Sequence, residues 1–344
     1  MATVEVSVRG AGIFGLSVAW ACVRRGARVT VIDPRGPGAG ASGGLVGALA
    51  PHVPENWNPK KAFQFDSLIG AQSFWAEIAA AGGVDPGYVR AGRIQPVAEG
   101  GLDLARARGR AAQTLWQGLA TWEVVRAEPG PWAPVAPSGW LIRDTLSAHL
   151  APRRAVAALV AALAAAGVAI VPDGPERGAV VHATGAAGLA ELSAALGRPA
   201  GQGIKGQAAL LRYDAGAVPQ IFADGLHVIP HGDGTVAVGS TTERAFDRPD
   251  TTDTLLDDVV ARARAAVPAL TLAPVIARWA GLRPRARSRA PMLGPWPGRP
   301  GHYVANGGFK IGFGMAPKMA QVMADLVLDG RDAIPDGFCV EDSV

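Results

Sequence analysis

Cysteine is nearly absent from this chain: Cys22 and Cys339 are the two in 344 residues, and they lie near opposite ends. That excludes a disulfide framework, a CxxC redox pair and a cysteine zinc site, and it favours a reducing compartment, the cytoplasm. The six histidines have no metal-ligand spacing, so no metal is expected. Tyrosine is scarce, at Tyr88, Tyr213 and Tyr303. A membrane helix needs about 20 strongly apolar residues. The longest apolar run, Ala155–Val171, is mostly alanine and is broken by Gly167. It reads as a helix, Pro152–Ala165, a glycine stop, and a strand, Val168–Val171, so no membrane span is expected. The first residues alternate and carry Glu5 and Arg9, a strand pattern and not a leader. There is no basic or acidic tail. A net charge of +4 is mild; it suits an anionic cofactor or substrate and is also compatible with weak nucleic-acid affinity.

What is present points to a folded enzyme-sized protein. Apolar residues make up 49% and charged residues 18%, enough to bury a large core. The length suggests two domains. Glycine is abundant, at 45 residues, which implies tight turns and close backbone approaches.

The N-terminus has βαβ logic. Val4–Val8 is a short apolar strand, Ile13–Arg25 is a helix stopped by Gly26, and Arg28–Ile32 is a second buried strand. Gly10-Ala11-Gly12-Ile13-Phe14-Gly15 joins the first strand to the helix. In such a turn Gly10 makes the bend, Gly12 lets the backbone approach a pyrophosphate, and Gly15 lets helix and strand pack closely. The phosphates would sit on the unpaired N–H groups of the helix N-terminus. Asp33 ends the second strand, where an acid accepts hydrogen bonds from an adenosine ribose and repels a 2′-phosphate. NADP is therefore disfavoured. From these residues alone, NAD and FAD both remain open.

Further along, Pro34–Gly47 reads as a ligand loop and Lys61–Ala81 as a helix. A helix is expected near Leu102–Leu119 and another over Thr254–Ala266. Ala179–Ala183 is a short buried strand leading into Thr184-Gly185. Residues 205–245 read as antiparallel strands, with Asp233-Gly234 turning a hairpin between His227–Pro230 and Thr235–Gly239. Ile276–Arg289 is strand-like, His302–Ala305 is a strand, Gly307–Gly314 is a glycine-rich turn, and Pro317–Leu328 is a final helix closed by Gly330.

Four of these stretches, in fixed order, carry a resemblance over nearly the whole chain. They are Gly10–Asp33; Ala41-Ser42-Gly43-Gly44-Leu45-Val46-Gly47-Ala48; Trp279-Ala280-Gly281-Leu282-Arg283-Pro284 with Ala290-Pro291-Met292-Leu293-Gly294; and Asn306–Gly314. Together they resemble the FAD-dependent D-amino-acid oxidase, glycine oxidase and sarcosine oxidase superfamily. Val181–Gly188 and Lys205-Gly206-Gln207 also match its spacing. The resemblance implies an α/β plus α+β fold: a Rossmann-type FAD-binding domain over 1–82, 151–204 and 290–344, and a mainly antiparallel substrate domain over 83–150 and 205–289. It implies non-covalent FAD, since no cysteine lies near Arg283–Leu293, where some sarcosine oxidases attach flavin. Besides Gly10, Gly12, Gly15 and Asp33, it assigns FAD contacts to Pro34, Arg35, Ala41, Ser42, Gly44 and Leu45. Val171, Thr184 and Gly185 follow, then Gly308, Phe309, Lys310, Ile311 and Gly312 in the C-terminal turn.

The implied activity is oxidation of the C–N bond of a small amine or amino acid, by hydride transfer to flavin with oxygen as acceptor. Alternatives are a dehydrogenase serving a quinone or carrier protein, a flavin enzyme modifying nucleic acid, and a binder that has lost catalysis. Arg283 would anchor a substrate carboxylate, because a guanidinium offers a charged two-pronged fork. The competing reading places it in a solvated row with Arg285, Arg287 and Arg289, since alternate strand residues share a face. Lys310 would stabilise negative charge near the flavin, or else be a surface lysine in a turn. His227 stands where D-amino-acid oxidases carry a tyrosine; pocket and structural roles are both open for it, as for His52. The family's meander between the strands at Val171 and Ala179 is here cut to Pro172–Gly178, which implies a more open adenine side.

Overall fold

A computed structural model describes residues 4–344. The chain starts with β1 (Glu5–Arg9), α1 (Ile13–Val23), β2 (Arg28–Ile32), β3 (Ala48–Leu49) and α2 (Pro59–Gly82). There follow β4 (Arg93–Pro96), α3 (Leu102–Leu115), β5 (Trp122–Arg126), β6 (Trp140–Asp144) and β7 (Ala148–His149). The middle holds α4 (Pro152–Ala165), β8 (Ala169–Val171), β9 (Ala179–His182), α5 (Gly185–Leu196) and β10 (Gly201–Arg212). Next come β11 (Gln220–Ala223), β12 (Leu226–His231), β13 (Thr235–Gly239), α6 (Thr254–Ala266) and β14 (Val275–Ala286). The chain closes with β15 (Met292–Pro295), β16 (His302–Asn306) and α7 (Gly312–Asp329).

Two large sheets result, as the α/β plus α+β reading expects. The first has the order β15-β16-β9-β1-β2-β8. Its strands are parallel except β15, which runs antiparallel on the edge. The second has eight strands in the order β14-β10-β13-β12-β11-β4-β6-β5 and is antiparallel apart from the β4–β11 pair.

The main core lies under the parallel sheet. Helix α1 is apolar nearly all round, and nine of its eleven residues are buried. A helix of that kind belongs inside; α1 packs against α4 and α7 as well as the sheet. The alanine-rich run forms α4, whose small side chains let α2 come close: a Cβ at Gly82 would meet the backbone N of Ala162 at 2.5 Å. Among the described residues no helix is long and apolar enough to cross a membrane.

Several boundaries moved for local reasons. Helix α2 begins at Pro59, two residues before the expected Lys61. Asn58 caps it by accepting the Lys61 N–H at 3.1 Å, and proline is at home in a first turn. Helix α7 starts at Gly312, so the glycine-rich turn ends at Ile311 and Pro317 lies inside the helix. Helix α5 was not expected from its small, glycine-containing sequence. The strand expected over Ile276–Arg289 stops at Ala286, and Arg289 takes a positive φ of 64° in the following turn.

Candidate active site

The two sheets leave a cavity of about 1000 Å³ between them, at the upper end for ligand pockets, which span about 300–1,000 Å³. One end is built by the βαβ unit, at the carboxyl ends of the parallel strands. Gly10 has a φ of +103°, and a Cβ there would lie 2.4 Å from the Ala183 carbonyl oxygen. A Cβ on Gly15 would lie 1.8 Å from the Gly10 carbonyl oxygen. Both positions therefore demand glycine, one for conformation and contact, one for helix–strand packing. Ser42 Oγ accepts the Ile13 N–H at 2.9 Å and so ties the 41–43 turn to the start of α1. Asp33 is set by the backbone: Oδ2 accepts the Ala11 N–H at 2.8 Å and Oδ1 the Arg35 N–H at 2.9 Å. Its charge and remaining lone pairs face the cavity it lines.

The middle of the cavity is lined by Gly44, Leu45 and Val46 on one side and Trp279 on the other. The Trp279 ring lies across its own strand, 2.5 Å from where a Gly281 Cβ would be and 3.4 Å from a Gly44 Cβ. Thr184 Oγ1 is buried in the wall and has no hydrogen-bond partner among the described residues. A buried hydroxyl left unpaired is costly unless something else satisfies it.

The far end carries the titratable groups. Arg283 is 9% exposed. It sits on β14, paired with Ile204 of β10, and donates from Nη1 to the Thr241 carbonyl at 3.2 Å. Burial pulls its pKa down to about 10, against the pull of the Glu243 charge; it stays a cation at neutral pH. Lys310 lines the same end. Burial, then the charges of Arg283 and Arg285, lower its pKa. His227 reaches the cavity from β12 and stacks at a tilt on Phe222, with ring centroids 4.8 Å apart. Burial, then the charges of Arg93, Lys310 and Arg283, push its pKa down to about 3. It is neutral, and its Nδ1 has no partner among the described residues. Phe246, Pro249 and Asp250 of the segment between β13 and α6 complete the wall.

Residues 5–326 match a family described as FAD dependent oxidoreductase. The chain belongs to that family. It is 28% identical to the putative thiamine biosynthesis oxidoreductase ThiO of Rhizobium etli, over 94% of this chain and 96% of that one. It is 38% identical to the glycine oxidase of Pseudomonas putida over 135 residues, 39% of this chain; the match spans 36% of that relative's length. The fold is that of the crystallised glycine oxidase of Geobacillus kaustophilus, with a TM-score of 0.82 and 23% identity over 98% of this chain and 99% of that one. The cavity fits the cofactor of this FAD-dependent oxidoreductase. The N-terminus of α1, the carboxylate of Asp33 and the orphaned Thr184 hydroxyl could serve it, in order, as a pyrophosphate site, a ribose acceptor and an unfilled donor.

In this flavoenzyme fold most sequence-nominated residues share the one cavity: Gly10, Gly12, Asp33, Pro34, Arg35, Ala41, Ser42, Gly44 and Leu45, then Thr184, Gly185, Gly308, Phe309, Lys310, Gly312, His227 and Arg283. Three lie behind its surface. Gly15 packs on Gly10. Ile311 is the N-cap of α7. Val171 is on the edge strand, where its carbonyl accepts the Asp33 N–H at 3.0 Å. His52 is outside the wall and hydrogen-bonds Gln64. The solvated arginine row does not form: Arg283 is buried, Arg285 lies over the Phe309 ring at 5.5 Å, and Arg287 and Arg289 fall beyond the strand's end. Alternation cannot hold once the strand stops. Phe222 and Phe246 also line the site, and Thr241 and Gly206 hold the Arg283 guanidinium. No motif marks the first three; Lys205-Gly206-Gln207 was a signal without an assigned role.

Proposed function

We propose that this enzyme oxidises the C–N bond of a small amino acid of the glycine, sarcosine or D-amino-acid type, with oxygen as the final acceptor. The carrying observation is Arg283, a buried cation facing the same cavity as the dinucleotide cradle, with no carboxylate of its own. Among the described residues the one acid whose charge reaches it, Glu243, is already bound to Lys205 at 3.3 Å. A desolvated guanidinium in that state is a receptor for a carboxylate.

FAD, when bound, supplies the two-electron acceptor for the substrate's C–H bond. The protein's part is then positioning. Arg283 takes the carboxylate and Lys310 adds a second positive charge beside it. His227 gives the wall a polar atom without a charge, so a neutral substrate nitrogen meets no competing cation there. Trp279 and Phe222 exclude water around the reacting carbon. No acid–base pair is needed if the nitrogen enters unprotonated; the imine released is hydrolysed by water.

We assign the FAD-binding part to 1–82, 151–204 and 290–344 and the substrate part to 83–150 and 205–289, a division that follows the two sheets except at β10, whose first residues, 201–204, fall in the FAD-binding part. The protein's place is the cytoplasm, in keeping with two free cysteines. The test is anaerobic addition of glycine, sarcosine and D-amino acids to the FAD-loaded protein, followed by air. Bleaching at the flavin band and recovery with peroxide release are expected. Bleaching without recovery in air would replace oxygen by a carrier acceptor, and no bleaching by any of them would overturn the substrate class.

A further inference from the structure

Strand β10 runs between β14 and β13, and its side chains alternate between two faces. Gly206 is on the cavity face, with Arg283. Lys205 and Gln207 point the other way. Beyond Gly239 the chain stays beside β10: Lys205 and Glu243 exchange both backbone hydrogen bonds, at 3.0 and 2.9 Å. Thr241 lies between, with its Oγ1 accepting the Gln207 N–H at 2.8 Å and its carbonyl accepting Arg283.

The face opposite the cavity holds a closed polar network. Lys205 is 2% exposed, and its Nζ reaches Glu243 at 3.3 Å and Asp253 at 3.2 Å. Gln207 Nε2 donates to the same two carboxylates, at 3.0 and 2.8 Å, and its Oε1 accepts the Asp253 N–H at 2.9 Å. Glu243 also accepts from Thr241 Oγ1. Burial opposes the charge on Lys205, but the hydrogen bonds to Asp253 and Glu243 outweigh it and hold the pKa above its ordinary value. Both ends of the segment carrying Phe246, Pro249 and Asp250 are thus fastened to one buried ammonium.

We propose that Lys205 is a positioning residue for Arg283: by binding Glu243 and Asp253 it fixes the Thr241 carbonyl that orients the guanidinium from across β10. The proposal rests on the reading that Arg283 receives the substrate's carboxylate. Removing the ammonium leaves Glu243 as a buried charge with weaker partners, which is costly. The segment must then shift to hydrate it, and the Thr241 carbonyl shifts with it.

The experiment measures acetate binding to the FAD-loaded protein by calorimetry, with thermal unfolding alongside, for the parent protein and for Lys205→Met, Lys205→Arg, Asp253→Asn and Arg283→Ala. Lys205→Met should weaken acetate by about tenfold or more, equivalent to about 1.4 kcal/mol. Lys205→Arg should restore most of that affinity, a recovery that a merely destabilised protein would not show. Asp253→Asn changes a half-exposed carboxylate and keeps the fold; it should move acetate binding in the same direction by a smaller factor, even if Lys205→Met fails to fold. Acetate affinity unchanged in both Lys205→Met and Asp253→Asn, with Arg283→Ala abolishing it, would overturn the positioning role and leave the site reading intact. Acetate affinity unchanged in Arg283→Ala would overturn both.

Discussion

The guanidinium of Arg283 lies on the backbone of Gly206. A Cβ at Gly206 would be 1.9 Å from Nη2, 2.1 Å from Cζ and 2.3 Å from Nη1. The arginine crosses β10 at a residue without a side chain and reaches the Thr241 carbonyl on the far side. The smallest substitution at Gly206 therefore acts on Arg283. Gly206→Ala should weaken acetate binding by about 10- to 100-fold, the scale expected when a buried charged hydrogen-bond partner is displaced. FAD content per protein should stay at the parent level. Normal acetate affinity in the variant would show that Arg283 does not use this channel.

Asp33 bears on FAD alone. Its two oxygens hold the Ala11 and Arg35 N–H groups, and their remaining lone pairs would make the proposed ribose contact. An asparagine in its place would keep one acceptor and turn an NH2 group toward a backbone donor. Asp33→Asn should cost about 2 kcal/mol, or about 30-fold in FAD affinity. Titration of the apoprotein with FAD checks this; acetate binding to the fully loaded variant should be unchanged.

Acid should destabilise the protein through its buried histidines. His149 is 3% exposed, and burial, then the charge of His231, lowers its pKa from 6.5 to about 4. Its Nδ1 has no partner among the described residues of the folded state. Between pH 6.5 and 4 the unfolded chain binds a proton here that the folded chain refuses, so stability rises with pH across that window. The contribution is complete above pH 6.5 and lost progressively as pH falls toward 4. His149→Gln should flatten the dependence by up to about 1.4 kcal/mol per pH unit. Urea midpoints at about pH 6.5 and about pH 4.5, the span over which the unfolded histidine alone takes up its proton, give the comparison for both proteins; equal slopes would contradict it.

FAD removal should loosen the fold as a whole. The cofactor cavity lies between the two sheets and includes the unpaired Thr184 hydroxyl. FAD at about a hundredfold its Kd should add about 2.7 kcal/mol to unfolding. The unfolding midpoint of the stripped protein should rise with added FAD. A midpoint that does not respond would mean that FAD is not held by the native state.

The βαβ turn was readable because its chemistry is local. Gly10, Gly12, Gly15 and Asp33 lie within one strand–helix–strand unit, where backbone geometry permits few side chains at each position. The antiparallel strands over 205–245 were readable from alternation and from the Asp233-Gly234 turn. The arginine row was legible in pattern and wrong in extent, because nothing local marks Ala286 as the strand's last residue. Helix α5 was missed for a related reason: Gly185-Ala186-Ala187-Gly188 is a poor helix start on propensity, and it is held by packing against β10 and β14.

The βαβ turn and the antiparallel strands are legible in the amino-acid order, since they depend on residues close together in the chain or on a period of two or 3.6. Arg283, Lys310 and His227 were nominated by the resemblance to the oxidase superfamily. Folding in three dimensions brings these three into one cavity, leaves His227 neutral there, and sets Gly206 and Lys205 on opposite faces of β10, beside Arg283. Those relations join residues up to 83 positions apart, His227 to Lys310. They arise from strand register and from the low dielectric of the interior, neither of which a stretch of sequence carries.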